Sequence, residues 1–326
     1  MIKVINQNVE VWAQEGYTLD AIWKHIARCA RVCYQSTPKN NGETDYDFIV
    51  RTLLKGIDVV NQPYDIKKII TCHLSVLEHG TIHLRYPLYV SRANVQFEHR
   101  FKYNKYSEFY IDEKDYAYVT TNMRVLVENG WIDELEFIDD IHNNEYNLID
   151  RCTLNFITDI GASRELNRHR VNSISEESTR YCRYTANKFG GNITVAKLPW
   201  IDYKNDESEE TNYENGFFSD NEIYDEEENT ILGHLTDGWS AIDWFLYGLQ
   251  ISNLIYNKCV QLGWTAQQAR EILPLNTKTQ VVHTAFVKDW QHFIDLRSNG
   301  VSGVPHPMIK ELADKVDDLI NATTCG

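Results

Sequence analysis

The apolar residues of this chain change their spacing along the sequence, and this restricts the fold more than any other feature. Residues 19–33 and 45–60 place apolar side chains at the spacing of one helix face. From Gly80 the period changes to two, and residues 151–158 alternate in the same way, as half-buried strands do. Helical spacing returns from Ile242 onwards. The chain therefore alternates helices and strands, as α/β proteins do.

Capping residues locate some of these helices more closely. Thr121 or Asn122 can cap a short helix that ends just before Gly130. Residues 265–268 have the spacing of a capping box, so Arg270 should lie near the end of the helix that they begin.

Three other stretches are assigned from pattern and composition. Residues 81–86 are predicted to form a strand with one buried face. Residues 87–119 are rich in aromatic and β-branched side chains, which predicts strands or long loops. A short helix through residues 163–169 should deliver the loop that follows it.

The chain of 326 residues has no Gly/Ser or Pro linker and no internal repeat. We predict a single domain, residues 1–326, of the α/β class and α+β type, with a central, mostly antiparallel sheet flanked by helices. No Gly-x-Gly-x-x-Gly motif occurs, so a Rossmann domain is not expected.

The sequence also predicts the compartment. No apolar run reaches 18 residues, and the first residues lack the apolar core of a signal peptide, so neither a membrane span nor secretion is expected. Seven cysteines without a Cys-x-x-Cys pair indicate reduced thiols in a cytoplasm.

The net charge of −15 is unevenly placed. Acidic residues crowd the stretch 206–228, and no Lys or Arg occurs between Lys204 and Lys258. Because like charges repel, residues 203–230 are predicted to form an acidic surface insertion, in part disordered. A calcium loop is disfavoured by the irregular acid spacing, and nucleic-acid binding by the lack of a broad basic face.

A dense basic cluster at 168–180 contrasts with this acidic background. Arg168, Arg170 and Arg180 are always charged and offer planar forks of donors that fit phosphate or carboxylate. Serine hydroxyls and two glutamates lie in the same stretch. This inventory suits an anionic ligand with a polar heterocycle, such as a nucleotide. A salt-bridge cluster on a helix end is the structural alternative.

The spacing of this cluster is also specific. The pattern resembles the signature of the flavin-dependent thymidylate synthases, because Arg-His-Arg is followed by seven residues and then by Ser178. Four further blocks resemble the same family and occur in family order, at residues 30–34, 73–79, 269–276 and 289–297. The resemblance spans about residues 30 to 310.

The resemblance implies the roles of individual residues. It implies FAD contacts at Ser75, Arg168, His169, Arg170, Glu176 and His292. It implies dUMP contacts at Glu165, Arg168, Glu176, Glu177, Ser178, Thr179, Arg180, Arg270 and Arg297. Arg297 matches an arginine against the uracil, where it would stabilise negative charge on the ring, and His73 matches a histidine near the flavin edge. Ser178 suits hydrogen bonding to the phosphate or the ring better than nucleophilic attack.

The implied reaction is reductive methylation of dUMP to dTMP. Methylenetetrahydrofolate would donate the carbon, and NADPH would reduce FAD, the hydride source. The resemblance further implies a homotetramer whose active sites are shared between subunits. No metal site is predicted.

Some positions depart from the family pattern. Glu165 stands where many members have Gln, Thr179 where some have Gly, and His292 where some have Asn. Phe286 and Lys288 stand where others place Asn and Arg for the flavin.

Two other functions remain open from the sequence. The chain could bind a nucleotide through its arginines without a flavin. It could instead be a metal-dependent hydrolase that uses His73, His79 and His83, although their spacing fits no known zinc pattern.

Overall fold

A computed structural model describes residues 2–39, 41–140, 144–147, 149–186, 189–201, 210–213 and 238–324. The strands are β1 (Ile2–Ile5), β2 (Asn8–Val11), β3 (Thr81–Pro87), β4 (Glu108–Ile111), β5 (Tyr116–Asn122), β6 (Arg151–Asp159), β7 (Ser173–Glu176), β8 (Thr194–Ala196), β9 (Glu210–Tyr213) and β10 (Lys278–Phe286). The helices are α1 (Leu19–Tyr34), α2 (Asp45–Thr52), α3 (Ile66–Ile69), α4 (Ser91–Arg100), α5 (Met123–Asn129), α6 (Ile160–Leu166), α7 (Ala241–Gln261), α8 (Ala266–Ala269), α9 (Val287–Arg297) and α10 (Pro307–Thr324). Single 3-10 turns occur at Leu74–His79, Ile132–Phe137, Asn144–Tyr146 and Arg270–Ile272.

Contacts between Cα atoms divide the chain into two compact units, each built from several segments. Unit 1 consists of Met1–Gln7, Thr158–Ser163 and Ser178–Thr279. Unit 2 consists of Asn8–Ile157, Arg164–Glu177 and Gln280–Gly326. The single domain remains a prediction.

Unit 2 contains two sheets and a large hydrophobic core. One sheet has the strand order β2–β6–β10–β7, and the other has the order β3–β5–β4. The pairs β2/β6, β7/β10, β3/β5 and β4/β5 are antiparallel. Helix α1 buries Ile22 and Ile26 in a core that also contains Leu77 and Leu84. The predicted α+β class, with a mostly antiparallel sheet flanked by helices, is confirmed.

Two of the helices predicted in unit 2 differ in outcome, because one has the expected bounds and the other is shorter. Helix α5 is confirmed, because Asn122 caps it by accepting from the Val125 amide at 3.1 Å and Gly130 ends it at a φ of 71°. The helix predicted over residues 45–60 ends earlier, at Thr52. Lys55 and Gly56 adopt positive φ angles there, which an α-helix cannot continue through.

The prediction of strands or loops for residues 87–119 is wrong over α4. Ala93 and Phe97, four residues apart, bury one face of this helix. Burial of that face outweighs the β-like composition on either side. Strand β4 does form within this stretch, and strand β5 begins in it and continues to Asn122.

The prediction of one buried face for the strand at residues 81–86 is also wrong. Both faces of β3 are buried, and Arg85 is its exposed residue. His83 stacks between the rings of Tyr17 and Tyr146, with both centroids 3.9 Å away. Aromatic side chains from distant parts of the chain thus cover the face that reads as polar.

Unit 1 contains the sheet β8–β1–β9, in which β1 pairs parallel with β8 and antiparallel with β9. Strand β9 is the described part of the acidic stretch 203–230, and the remainder of that predicted insertion lies outside the described residues. The capping box at Thr265 is confirmed, since both its amide and its hydroxyl donate to Gln268 Oε1.

Helix α6 begins three residues before the predicted start at residue 163, because the Asp159 carboxylate accepts from the Ala162 amide at 2.6 Å. Among the described helices, none combines the length and apolar character that crossing a membrane requires.

Candidate functional site

The basic signature residues lie in a tight turn after α6, within unit 2. The His169 amide donates to the Leu166 carbonyl at 3.0 Å, and the Asn172 amide donates to the His169 carbonyl at 3.1 Å. His169 is buried, whereas Arg168 and Arg170 are exposed. Neither arginine pairs with a carboxylate in the described part of the chain. The turn therefore presents two uncompensated guanidinium groups, as an anion-binding segment requires.

Arg297 joins three other predicted residues at this turn. Its Nη1 donates to Glu165 Oε2 at 2.8 Å, and its Nε donates to His169 Nε2 at 3.4 Å. Burial, then the charges of Arg297 and His292, lower the pKa of His169 to about 4. The ring is therefore neutral at pH 7, with Nε2 as the acceptor. The His292 ring lies 6.3 Å from the His169 ring.

The two signature glutamates differ in their surroundings. Glu176 lies at the end of β7, and its Oε2 accepts from Asn167 Nδ2 at 3.0 Å. Glu177 is buried, and its amide donates to the Gln280 carbonyl at 2.8 Å. Sequence reasoning missed Asn167, because an isolated asparagine before the arginines forms no recognisable pattern.

A cleft of about 980 Å³ in unit 2 includes part of the turn in its lining. Arg170 contributes to one wall, Phe286 and Lys288 come from the junction of β10 and α9, and Lys105 and Tyr106 come from the loop after α4. Its volume lies at the upper end of the range for pockets that hold cofactors. Two family departures, Phe286 and Lys288, therefore fall on this cleft.

The charged residues of the cleft are unequally paired. Lys288 Nζ lies 2.6 Å from Glu108 Oε1, and Arg124 pairs with Glu78. Arg170 has no such partner among the residues that the structure describes. Its donors remain available for an anionic group in the cleft.

The histidine-rich block forms the 3-10 turn Leu74–His79 and the residue before it. His73 and Ser75 are exposed, whereas His79 is fully buried. His79 Nδ1 lies 2.7 Å from Thr284 Oγ1, and its Nε2 lies 3.0 Å from Ser175 Oγ. Burial lowers the pKa of His79 well below 6.5, so the neutral ring ties this turn to β7.

These contacts disfavour the metal-dependent hydrolase. The ring nitrogens of His79 face hydroxyl groups, and His83 is enclosed between tyrosine rings. Within the described ranges, no three His, Cys, Asp or Glu side chains gather in a way that could hold a metal ion.

Unit 1 carries the four remaining predicted residues, Ser178, Thr179, Arg180 and Arg270. Ser178 Oγ accepts from the Arg180 amide at 3.3 Å. Arg180 Nε donates to Gln267 Oε1 on α8, also at 3.3 Å. Arg270 lies at the C-terminal end of α8, and its carboxylate partner is the adjacent, exposed Glu271 at 3.3 Å. Unit 1 thus holds Arg180 against the helix that ends in Arg270.

One curated relative and one solved structure are similar to this chain. A curated relative, "Probable flavin-dependent thymidylate synthase" of Paramecium bursaria Chlorella virus 1, is 45% identical over 47 residues, which are 14% of this chain and 22% of the relative. The match thus spans about a fifth of that relative's length. A solved structure, the UMP/dUMP methylase PolB from Streptomyces cacaoi bound with 5-Br UMP, aligns over 98% of this chain and 91% of its own, with 13% identity and a TM-score of 0.40.

The decisive match is to a protein family. The family described as "Thymidylate synthase complementing protein" matches residues 149–323, which is more than half of the chain. The matched region includes the Arg168–Arg170 turn, β7, β10 and α9. The resemblance seen in the sequence motifs is thereby confirmed, and the chain belongs to the thymidylate synthase complementing protein family, that of the flavin-dependent thymidylate synthases.

Proposed function

We propose that this chain catalyses the reductive methylation of dUMP to dTMP. In the balanced reaction, dUMP, methylenetetrahydrofolate, NADPH and a proton give dTMP, tetrahydrofolate and NADP⁺. The observation that carries the proposal is the turn with exposed, uncompensated Arg168 and Arg170, which lies inside the family match. Such a turn suits the phosphates of nucleotide ligands better than it suits an internal salt-bridge cluster.

The residues of unit 2 fit a flavin nucleotide. Arg170 offers unpaired donors to a pyrophosphate, and Tyr106 and Phe286 offer rings to a planar heterocycle in the same cleft. The other proposed FAD contacts are Ser75, Arg168, His169, Glu176 and His292, with His73 near the edge of the flavin. When bound, FAD would supply the redox chemistry, accepting reducing equivalents from NADPH and providing the hydride that completes the methyl group.

The residues of unit 1 fit the phosphate of dUMP. Arg180 and Arg270 carry two positive charges, and the Ser178 hydroxyl adds a donor. Together these groups can neutralise a phosphate dianion through charge-assisted hydrogen bonds. The remaining proposed dUMP contacts are Glu165, Arg168, Glu176, Glu177, Thr179 and Arg297.

Arg297 is the residue that we propose activates the uracil. The ion pair with Glu165 and the contact with His169 hold its guanidinium in place. A fixed positive charge against the ring would stabilise negative charge that develops there, and so make C5 more nucleophilic.

A homotetramer with shared active sites is also proposed. Support comes from helix α7, which exposes 45% of Trp244, 46% of Leu254 and 43% of Ile255. Large apolar side chains on the surface of one helix are typical of subunit contacts. Sedimentation of the active enzyme should give four chains, and an active monomer would contradict this proposal.

Absorbance spectra distinguish the proposed enzyme from a flavin-free nucleotide-binding protein. After incubation with FAD and removal of the unbound FAD, the protein should absorb at about 450 nm, as oxidised flavins do. Under anaerobic conditions NADPH should bleach this band. A protein that binds dUMP but never retains or reduces FAD would favour the flavin-free alternative.

A further inference from the structure

His283 on β10 contacts both ends of the basic turn. Asn172 Nδ2 lies 3.2 Å from His283 Nδ1, and Asn167 Oδ1 lies 3.3 Å from His283 Nε2. Asn167 is the residue before Arg168, and Asn172 is the second residue after Arg170. One imidazole ring therefore bridges the two sides of the turn.

The hydrogen bonds around His283 leave one arrangement of protons. Asn167 Nδ2 already donates to the Glu176 carboxylate at 3.0 Å, so its Oδ1 faces His283 and must accept. His283 therefore carries its proton on Nε2. The unprotonated Nδ1 then accepts from the Asn172 amide group. In this clamp, formed by Asn167, Asn172 and His283, each of the two contacts to the imidazole ring has a defined donor and acceptor.

The His283 ring is also held by its packing. It is 1% exposed, and the rings of Phe156 and Trp290 lie 5.8 Å and 6.4 Å from it. On the backbone, His283 pairs with Ile174 in the β7/β10 ladder. The clamp is thus anchored on a sheet, which positions attached groups more accurately than a loop does.

The turn is also held by the His169 amide, which donates to the Leu166 carbonyl, and by the buried His169 ring, which contacts Arg297. The His169 carbonyl accepts from Asn172, but Arg168 and Arg170 are exposed and have no ionic partner in the described chain. Their direction therefore depends on the backbone of the turn. Burial, and then the charge of His169, lower the pKa of His283 to about 3, so the clamp adds no charge to this cationic turn at neutral pH.

We propose that His283 is a positioning residue, which acts through Asn167 and Asn172. Through them it holds the Arg168–Arg170 turn and Glu176 in the geometry that binds the anionic cofactor. This inference rests on the proposed function for the identity of the ligand. The clamp itself is a property of the chain without ligand.

Three variants test the clamp. His283→Leu keeps a similar volume but removes both hydrogen bonds, whereas His283→Gln can still accept and donate. Tyr86→Phe is the matched control, because it removes a buried hydrogen bond to Glu134 elsewhere in unit 2. FAD affinity is measured by flavin fluorescence, and amide exchange at Asn172 is measured without ligand. Should His283→Leu fail to fold, Asn172→Ala removes half of the clamp and takes its place.

We expect His283→Leu to weaken FAD binding by at least about tenfold and to speed exchange at Asn172, because two buried hydrogen bonds are lost. His283→Gln should restore both values, and Tyr86→Phe should change neither. Unchanged affinity and exchange in His283→Leu, or an equal loss of affinity in Tyr86→Phe, would overturn the proposal. If the unaltered protein bound no FAD, the proposed function would fail, and exchange at Asn172 alone would decide the clamp.

Discussion

The protein should lose stability between pH 8 and pH 5, and replacing His25 with glutamine should make that loss smaller by about 2 kcal/mol. His25 lies on α1, is 3% exposed, and contacts Thr153 Oγ1 through Nε2 at 3.0 Å. Burial, followed by the charges of Arg28 and Arg151, lowers its pKa to about 4 from 6.5. Glutamine can keep the hydrogen bond to Thr153 but cannot take up a proton.

The sign and size follow from the two pKa values. Above pH 6.5 the His25 ring is neutral in both the folded and the unfolded state, so its contribution to stability is fully present. Below pH 6.5 the unfolded chain binds the proton first, and stability is lost until the pH reaches about 4. Each pH unit in that window costs about 1.4 kcal/mol, so the fall from 6.5 to 5 costs about 2 kcal/mol.

Urea denaturation at pH 8, 7, 6 and 5 measures this effect. Between pH 8 and pH 5 the free energy of unfolding should fall by about 2 kcal/mol less in the His25→Gln variant than in the unaltered protein. The control is Asn122→Ser, which changes no titratable group, and its curve should run parallel to that of the unaltered protein. Parallel curves for His25→Gln would show that His25 is not held neutral by burial.

Three further substitutions have defined outcomes. Tyr86→Phe should lower the free energy of unfolding by about 2 kcal/mol, because it removes a 2.5 Å hydrogen bond to the buried Glu134 carboxylate, and thermal denaturation checks this. Asn122→Ala should cost about 1 kcal/mol in the same assay through loss of the α5 cap, whereas Asn122→Ser should restore most of it. Arg270→Ala should weaken dUMP binding by at least about tenfold, as measured by calorimetric titration. Deoxyuridine, which lacks the phosphate, is the comparison ligand. Equal losses for both ligands would place Arg270 away from the phosphate.

Local signals predicted the helix boundaries where capping residues were present. Asn122 and Thr265 begin their helices as predicted, because a cap depends on residues three positions apart in the chain. Helix α4 was missed because its burial comes from only Ala93 and Phe97, within a stretch whose composition resembles strands. The second buried face of β3 was missed because Tyr17 and Tyr146, which cover His83, are distant in sequence.

The candidate site likewise contains residues that the sequence could predict and residues that it could not. The Arg168–Arg170 turn could be found from spacing, because its members are adjacent in the chain. The clamp could not, since His283 lies more than a hundred residues from Asn167 and Asn172. Their meeting depends on the register of β7 against β10, which sequence patterns do not specify.

The proposed reaction is tested most directly by measuring dTMP under anaerobic conditions with dUMP, methylenetetrahydrofolate, NADPH and added FAD. The unaltered protein should form dTMP only when FAD is present. Arg297→Ala, which loses the guanidinium paired with Glu165, should form it far more slowly. Oxidation of NADPH without dTMP would leave a flavin protein but contradict methyl transfer to dUMP. Full activity in Arg297→Ala would contradict the role proposed for that arginine.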